Sequence, residues 1–213
     1  TSGRGTPEGL SDLNIQLLSD AGNIDASGEY QFEPMVAVFQ TRIAELKPEL
    51  IAPEWPGQVS LQANLRVTQA EEIRVRADVA ELGGQLRGAE LDGLGEIVWE
   101  ADSWPSGELS LGWGGNRVDY AREAGAPGNL RVDARNLKLG APTLDGRLLL
   151  NLQVPPLLTE WAELSGSAEA DKLKLPGITL ASLKARRDGG SSSPVQIDAV
   201  GLDAGGQQVE SLR

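Results

Sequence analysis

From Gly57 to Thr68 every odd position from Val59 onward is apolar and every even one polar. Successive side chains of a strand point to opposite sides of its sheet, so Val59, Leu61, Ala63, Leu65 and Val67 share a dry face. Gln58, Ser60, Gln62, Asn64 and Arg66 share a wet one. The same pattern returns along the chain. A glycine followed by apolar residues at alternate positions opens runs at Gly22, Gly28 and Gly84, at Gly95 (Ile97, Trp99), at Gly107 (Leu109, Leu111, Trp113), at Gly128 (Leu130, Val132), at Gly146 (Leu148, Leu150, Leu152) and at Gly166. The expectation is that each glycine supplies the positive φ or tight turn that lets one strand end and the next begin.

This periodicity predicts strands over 13–17, 24–32, 35–43, 59–67, 73–79, 82–91, 94–101, 108–113, 117–120, 130–139, 144–154, 164–175, 178–186, 195–202 and 207–212. The runs 59–67 and 73–79 form an antiparallel hairpin with Ile73, Val75 and Val79 on the dry side. Residues 188–194 form a loop. Val36, Phe39, Ile43, Leu46 and Leu50 also fit helical spacing, but Pro48, Pro53 and Pro56 leave room for no more than a helical turn or loop over 46–54. A longer recurrence is visible too. Trp-Pro pairs precede Gly57 and Gly107, and Pro156 to Gly166 resembles Pro48 to Gly57. Such Trp and Pro residues either plug the end of a β layer or form a repeated device that turns the chain back into a growing sheet.

Composition supports many short strands: the chain has 26 Gly and 12 Pro in 213 residues, with 23% charged. No linker divides it, which makes residues 1–213 one elongated section, and its ends look like cut points inside a longer protein. There are 19 Lys plus Arg against 31 Asp plus Glu, a net charge of −12, so nucleic acid is a poor partner. An anionic membrane surface would repel it as well, which leaves apolar contact as the way to meet lipid.

The chain has neither Cys nor His, so it lacks the commonest general base, thiolate chemistry and the usual zinc ligands. Carboxylates such as Glu71 with Glu72, Asp102, or Glu160 with Glu163 remain, and they fit a solvated surface better than a paired-acid mechanism. No phosphate loop, dinucleotide fingerprint or calcium loop is present. These residues point to no enzyme, no metal and no cofactor. Trp99 and Trp113 fall in phase with Ile97, Leu109 and Leu111, on the dry side, which argues against a sugar-binding platform. What remains is the dry face itself, aliphatic and with only 2 Phe and 1 Met in the chain. Such a face suits a conformable partner such as acyl chains.

Leu144-Asp145-Gly146-Arg147-Leu148-Leu149-Leu150-Asn151-Leu152, Glu163 to Ala168, and Leu173-Lys174-Leu175-Pro176-Gly177-Ile178 resemble the repeated segments of the TamB family and its wider AsmA-like, bridge-like lipid-transport group. The resemblance covers most of the chain and is clearest from Trp55 onward. It implies an all-β, elongated β-taco: a U-folded antiparallel or mixed sheet with little helix, enclosing an apolar groove. The implied role is phospholipid passage between the inner and outer membranes of a Gram-negative envelope, in a periplasmic section of an inner-membrane-anchored protein. A link to outer-membrane protein assembly follows, through an outer-membrane barrel partner contacted by other parts of the protein. The amino-terminal anchor and the carboxy-terminal partner-binding segment of the family are not recognisable in the sequence. At about 13 residues per strand and turn, some 16 strands stacked at ~4.8 Å would extend ~75 Å.

The expected lipid-lining residues are Val59, Leu61, Ala63, Leu65, Val67, Ile73, Val75, Val79, Ile97, Trp99, Leu109, Leu111, Trp113, Leu130, Val132, Leu148, Leu150 and Leu152. The rival reading is a structural or chaperone-like β module whose apolar face is a closed core, offering its sheet edges to client strands.

Overall fold

The computed structural model describes residues 1–69, 72–190, 193–205 and 207–212. The chain resolves into two compact units, Thr1–Trp113 and Gly114–Arg213. The first holds β1 (Ser2–Thr6), β2 (Gly9–Ser19), β3 (Gly22–Gln31), β4 (Met35–Leu46), β5 (Gly57–Gln69), β6 (Ile73–Leu86), β7 (Ala89–Glu100) and β8 (Ser106–Trp113). The second holds β9 (Asn116–Arg122), β10 (Gly128–Ala134), β11 (Asp145–Val154), β12 (Ser165–Leu175), β13 (Ile178–Arg187), β14 (Val195–Ala204) and β15 (Gln207–Leu212). Within each unit every strand pairs antiparallel with its neighbours in sequence, so each is an open meander.

The protein is therefore all-β, and of the two sheet types left open by the sequence it uses the antiparallel one. Helical structure among the described residues is limited to 3-10 turns at Pro48–Leu50, Leu137–Leu139 and Leu158–Glu163. The helical spacing through 35–50 is accordingly a strand followed by a single turn. No helix among the described residues is long and apolar enough to cross a membrane.

Several boundaries differ from the periodic expectation. The three runs 73–79, 82–91 and 94–101 form two long strands, β6 and β7, which turn at Arg87-Gly88. Both turn residues have left-handed backbones, φ 53° and 74°, the combination a two-residue hairpin needs to match strand twist. The run 130–139 stops at Ala134 and ends in the 3-10 turn Leu137–Leu139. β1 has no apolar alternation to announce it; Ser2–Thr6 is an exposed edge strand held by backbone pairing to β2.

Gly22, Gly107, Gly146 and Gly166 stand at the first or second residue of their strands with the positive φ expected there, whereas Gly84 and Gly95 lie inside β6 and β7. Gly22, Gly84, Gly95, Gly107, Gly146 and Gly166 have φ between 108° and 156°, yet all six belong to strands and pair across them or sit at a register shift. At Gly84 and Gly107 a Cβ would be driven into the carbonyl oxygens of Gln58 and Glu96 on the adjacent strand. Glycine here permits backbones to approach and the strand to kink without leaving the ladder, a device that bends sheets.

Candidate functional site

Directly paired residues in an antiparallel ladder lie on the same face, so the register reveals which side chains share a surface. In the first unit Leu17, Ile24, Ile43, Leu61, Leu82, Gly93 and Leu111 form one row across the strands. Beside it run Ile15-Ala26-Thr41-Ala63-Val79-Gly95-Leu109 and Leu13-Gly28-Phe39-Leu65-Ala77-Ile97-Gly107. The rows Leu10-Tyr30-Ala37-Val67-Val75-Trp99 and Leu46-Val59-Gly84-Leu91-Trp113 flank these. Ile73 lies on the same face, opposite Gln69. The expected lining residues of this unit thus all fall on one apolar face.

Continuity of that face depends on a bulge where sequence alternation shows only a break of phase. Gln62 pairs with Glu81 but Ala63 pairs with Val79, so β6 has one residue more than β5 at Ala80. Apolar parity on β6 is odd up to Val79 and even from Leu82 onward. Without the extra residue, Leu82 and Leu86 would point to the wet side.

The second unit repeats the arrangement. Val118, Val132, Leu150, Ala168, Ala185 and Ile197 form one row. Tyr120-Leu130-Leu152-Gly166-Arg187-Val195 and Ala134-Leu148-Ala170-Leu183-Ala199 form two more. Leu130, Val132, Leu148, Leu150 and Leu152 are brought together as expected. Tyr120, Val118, Leu183 and Arg187 join them unanticipated, although the odd parity of Leu183 and Ala185 in the sequence already carries Arg187.

Burial distinguishes a stacked core from an uncovered face. Of the expected lining residues Ala63 is buried, Ile73 and Trp99 are exposed at 47% and 49%, and the others are intermediate. Two packed sheets would reduce most of them to near zero exposure. Among the described residues Val154 is the largest side chain below 2% exposure. The rows become more open at β2, where Leu10, Ile15 and Leu17 are exposed, and at β14, where Val195 and Ile197 are.

The opposite face is polar and charge-laced. Arg74 pairs with Glu100 at 3.1 Å and Arg76 with Glu96 at 2.9 Å across β6 and β7; such exposed pairs contribute at most about 1 kcal/mol each. In the second unit Asp133 accepts from Arg135 at 2.9 Å and Arg147 at 3.3 Å. The Arg135 hydrogen bond, helped by the charges of both arginines, holds the Asp133 carboxyl below the ordinary carboxylate range against the opposing effect of burial. A hollow of about 450 Å³ lies against the polar face of the first unit, lined by Asn14, Gln16, Asp25, Ser27, Gln40, Arg42, Gln62 and Asn64; of the expected lining residues it reaches only Ala63.

The Trp residues divide between the two roles expected of them. Trp113 donates through Nε1 to the Leu86 carbonyl at 2.9 Å and packs on Trp55, with ring centroids 5.6 Å apart and the Arg87 guanidinium 5.3 Å from the Trp55 ring centre. This cluster plugs one end of the layer. Trp161 is 70% exposed and plugs nothing. The repeated connectors do share a form: a 3-10 turn precedes β5 and another precedes β12.

Of the carboxylates weighed for catalysis, Glu71 lies outside the described residues. Glu72, Asp102 and Glu163 are exposed and Glu160 is half-buried. Among the described residues no cluster of three acidic groups could hold a metal ion. No curated protein and no solved structure matches the chain. A family model does: residues 1–210 match the one described as TamB, N-terminal domain, and the chain belongs to the TamB family.

Proposed function

We propose that residues 1–213 form one section of a phospholipid conduit between the inner and outer membranes of a Gram-negative envelope. The carrying observation is the unbroken apolar register of each unit combined with its incomplete burial. Acyl chains lie against the rows around Leu61, Ala63 and Leu65 in the first unit and Leu130, Leu150 and Leu152 in the second. Headgroups stay near water. The polar face of each unit, rich in acids, maintains solubility. Family membership supports a place in the translocation and assembly module, with a barrel partner engaged by other parts of the protein and a periplasmic location for this section.

An apolar face that no second layer covers favours an occupant. A closed-core module would instead bury these rows against a second layer. Native mass spectrometry of the purified chain discriminates between them. Co-purifying phospholipid that is lost on Leu61→Asp or Leu150→Asp supports the conduit; a lipid-free wild-type chain that acquires none from phosphatidylglycerol vesicles overturns it.

A further inference from the structure

The apolar face of the second unit ends in a cation. Arg187, the last residue of β13, pairs with Gly166 on one side and Val195 on the other, in the row that holds Leu152 and Leu130. Gly166 has no side chain, so the surface between Arg187 and Leu152 is bare. The guanidinium donates through Nη2 to the Ala162 carbonyl at 2.6 Å. Its Nε is buried with no hydrogen-bond partner. Among the described residues no carboxylate comes within the 4.0 Å of an ion pair.

In the adjacent row Arg122 stands opposite the Gly128–Val154 pair, its aliphatic stem packed where a Gly128 Cβ would be. Its Nη1 donates to the carbonyls of Glu123 at 3.3 Å and Ala126 at 3.1 Å. Two guanidinium groups therefore border the same end of a face that is otherwise uncharged along these rows.

A charge set among apolar neighbours is unfavourable unless an opposite charge meets it, and a buried N–H without an acceptor adds to that cost. We propose that Arg187 receives the phosphate of a glycerophospholipid whose acyl chains lie along Leu152 and Leu130, an inference that rests on the conduit reading above. Through its remaining N–H groups a guanidinium meets more than one oxygen of a phosphate, a geometry that a point-like ammonium does not supply. Binding there fixes which end of the lipid faces this end of the sheet. The aliphatic rows alone impose no such direction.

The test presents the chain with dioleoylphosphatidylglycerol or with dioleoylglycerol, which has the same acyl chains and no phosphate, each delivered in the same non-ionic detergent. Bound lipid is counted by native mass spectrometry. The wild type is expected to retain the phospholipid about tenfold better, the size of effect a charge-assisted hydrogen bond supplies. Arg187→Gln should lose the preference while still retaining dioleoylglycerol, and Arg187→Lys, which keeps the charge without the fork, should fall between. Equal retention of both lipids by the wild type overturns the assignment without any variant, and so does a preference unchanged in a folded Arg187→Gln. Failure of the wild type to retain either lipid overturns the conduit reading itself.

Discussion

Leu150→Asp separates a lipid-lining face from a closed core because the two make opposite demands on stability and occupancy. Leu150 lies between Val132 and Ala168 in the central row of the second unit and is half-buried. Full burial of a leucine side chain stabilises by about 1.5–3 kcal/mol, so removing it from this uncovered surface should cost only about 1 kcal/mol. That corresponds to a melting decrease of about 2–4 °C for a chain of this length. Lipid affinity should change far more. An acyl chain laid over the carboxylate either desolvates it or forces it to protonate. At pH 7, about three units above the ordinary Asp pKa, protonation costs about 4 kcal/mol, which caps the loss near a thousandfold.

The sign with pH follows: burial under lipid raises the aspartate pKa, so retention should recover about tenfold for each unit the pH is lowered toward 4. Asn151→Asp places the same carboxylate one residue away, on the exposed polar face opposite Arg131, and should change neither melting nor lipid. Calorimetry and native mass spectrometry at pH 7 and pH 5 measure both quantities. A Leu150→Asp chain that retains lipid normally at pH 7 refutes the lining role. One that unfolds outright, as a buried unpaired charge would make it, refutes the open face.

Gly84→Ala should destabilise by at least about 2 kcal/mol, since the position has φ 135° and the new Cβ meets the Gln58 carbonyl; Gly88→Ala, with φ 74° and open space around it, should cost about 1 kcal/mol, and equal melting shifts would show that the close approach is not limiting. Asp133→Asn should lower the melting temperature at pH 7. Because the Asp133 carboxyl is depressed in the folded state, its stabilisation is present above the unfolded value near 3.9 and lost as pH falls through the lower folded value; the gap between wild type and variant should therefore narrow as the solution is acidified below the unfolded value, and a gap that does not narrow with acidification contradicts the arginine clamp. Trp55→Ala should cost about 2 kcal/mol by removing the partner of Trp113, whereas Trp161→Ala should stay within about 0.5 kcal/mol in chemical denaturation.

Alternation made the strands and their dry face legible because period two is imposed by strand geometry itself. Val59 to Val67 needed nothing beyond that rule. Where the backbone departs from ideal pairing, the rule loses its phase. In the sequence the extra residue at Ala80 is only a break of phase between Val79 and Leu82, which reads equally as the end of one strand and the start of another, yet it decides which face Leu82 joins. Strand ends were obscured for a related reason. Glycine signals both turns and close approach between strands, and only the register shows that Gly84 lies inside β6 while Gly88 turns the chain. Arg187 is hidden in the sequence because a charged residue in an apolar phase looks like the end of a strand, although it still pairs on both sides.

Strand-by-strand meanders also set the order in which such a protein can be assembled. Each strand of a unit needs only the neighbours that precede and follow it in the chain, so loop closure is short at every step and no strand waits for a distant partner. A chain delivered end first can zip up as it emerges, each new hairpin templated on the last edge. The cost falls on whichever strand is outermost, whose backbone groups stay unpaired until the next arrives. Protection against hydrogen exchange should accordingly decline from β5 and β6, where pairing is longest, toward β1, giving a gradient along the sequence in place of a single cooperative threshold.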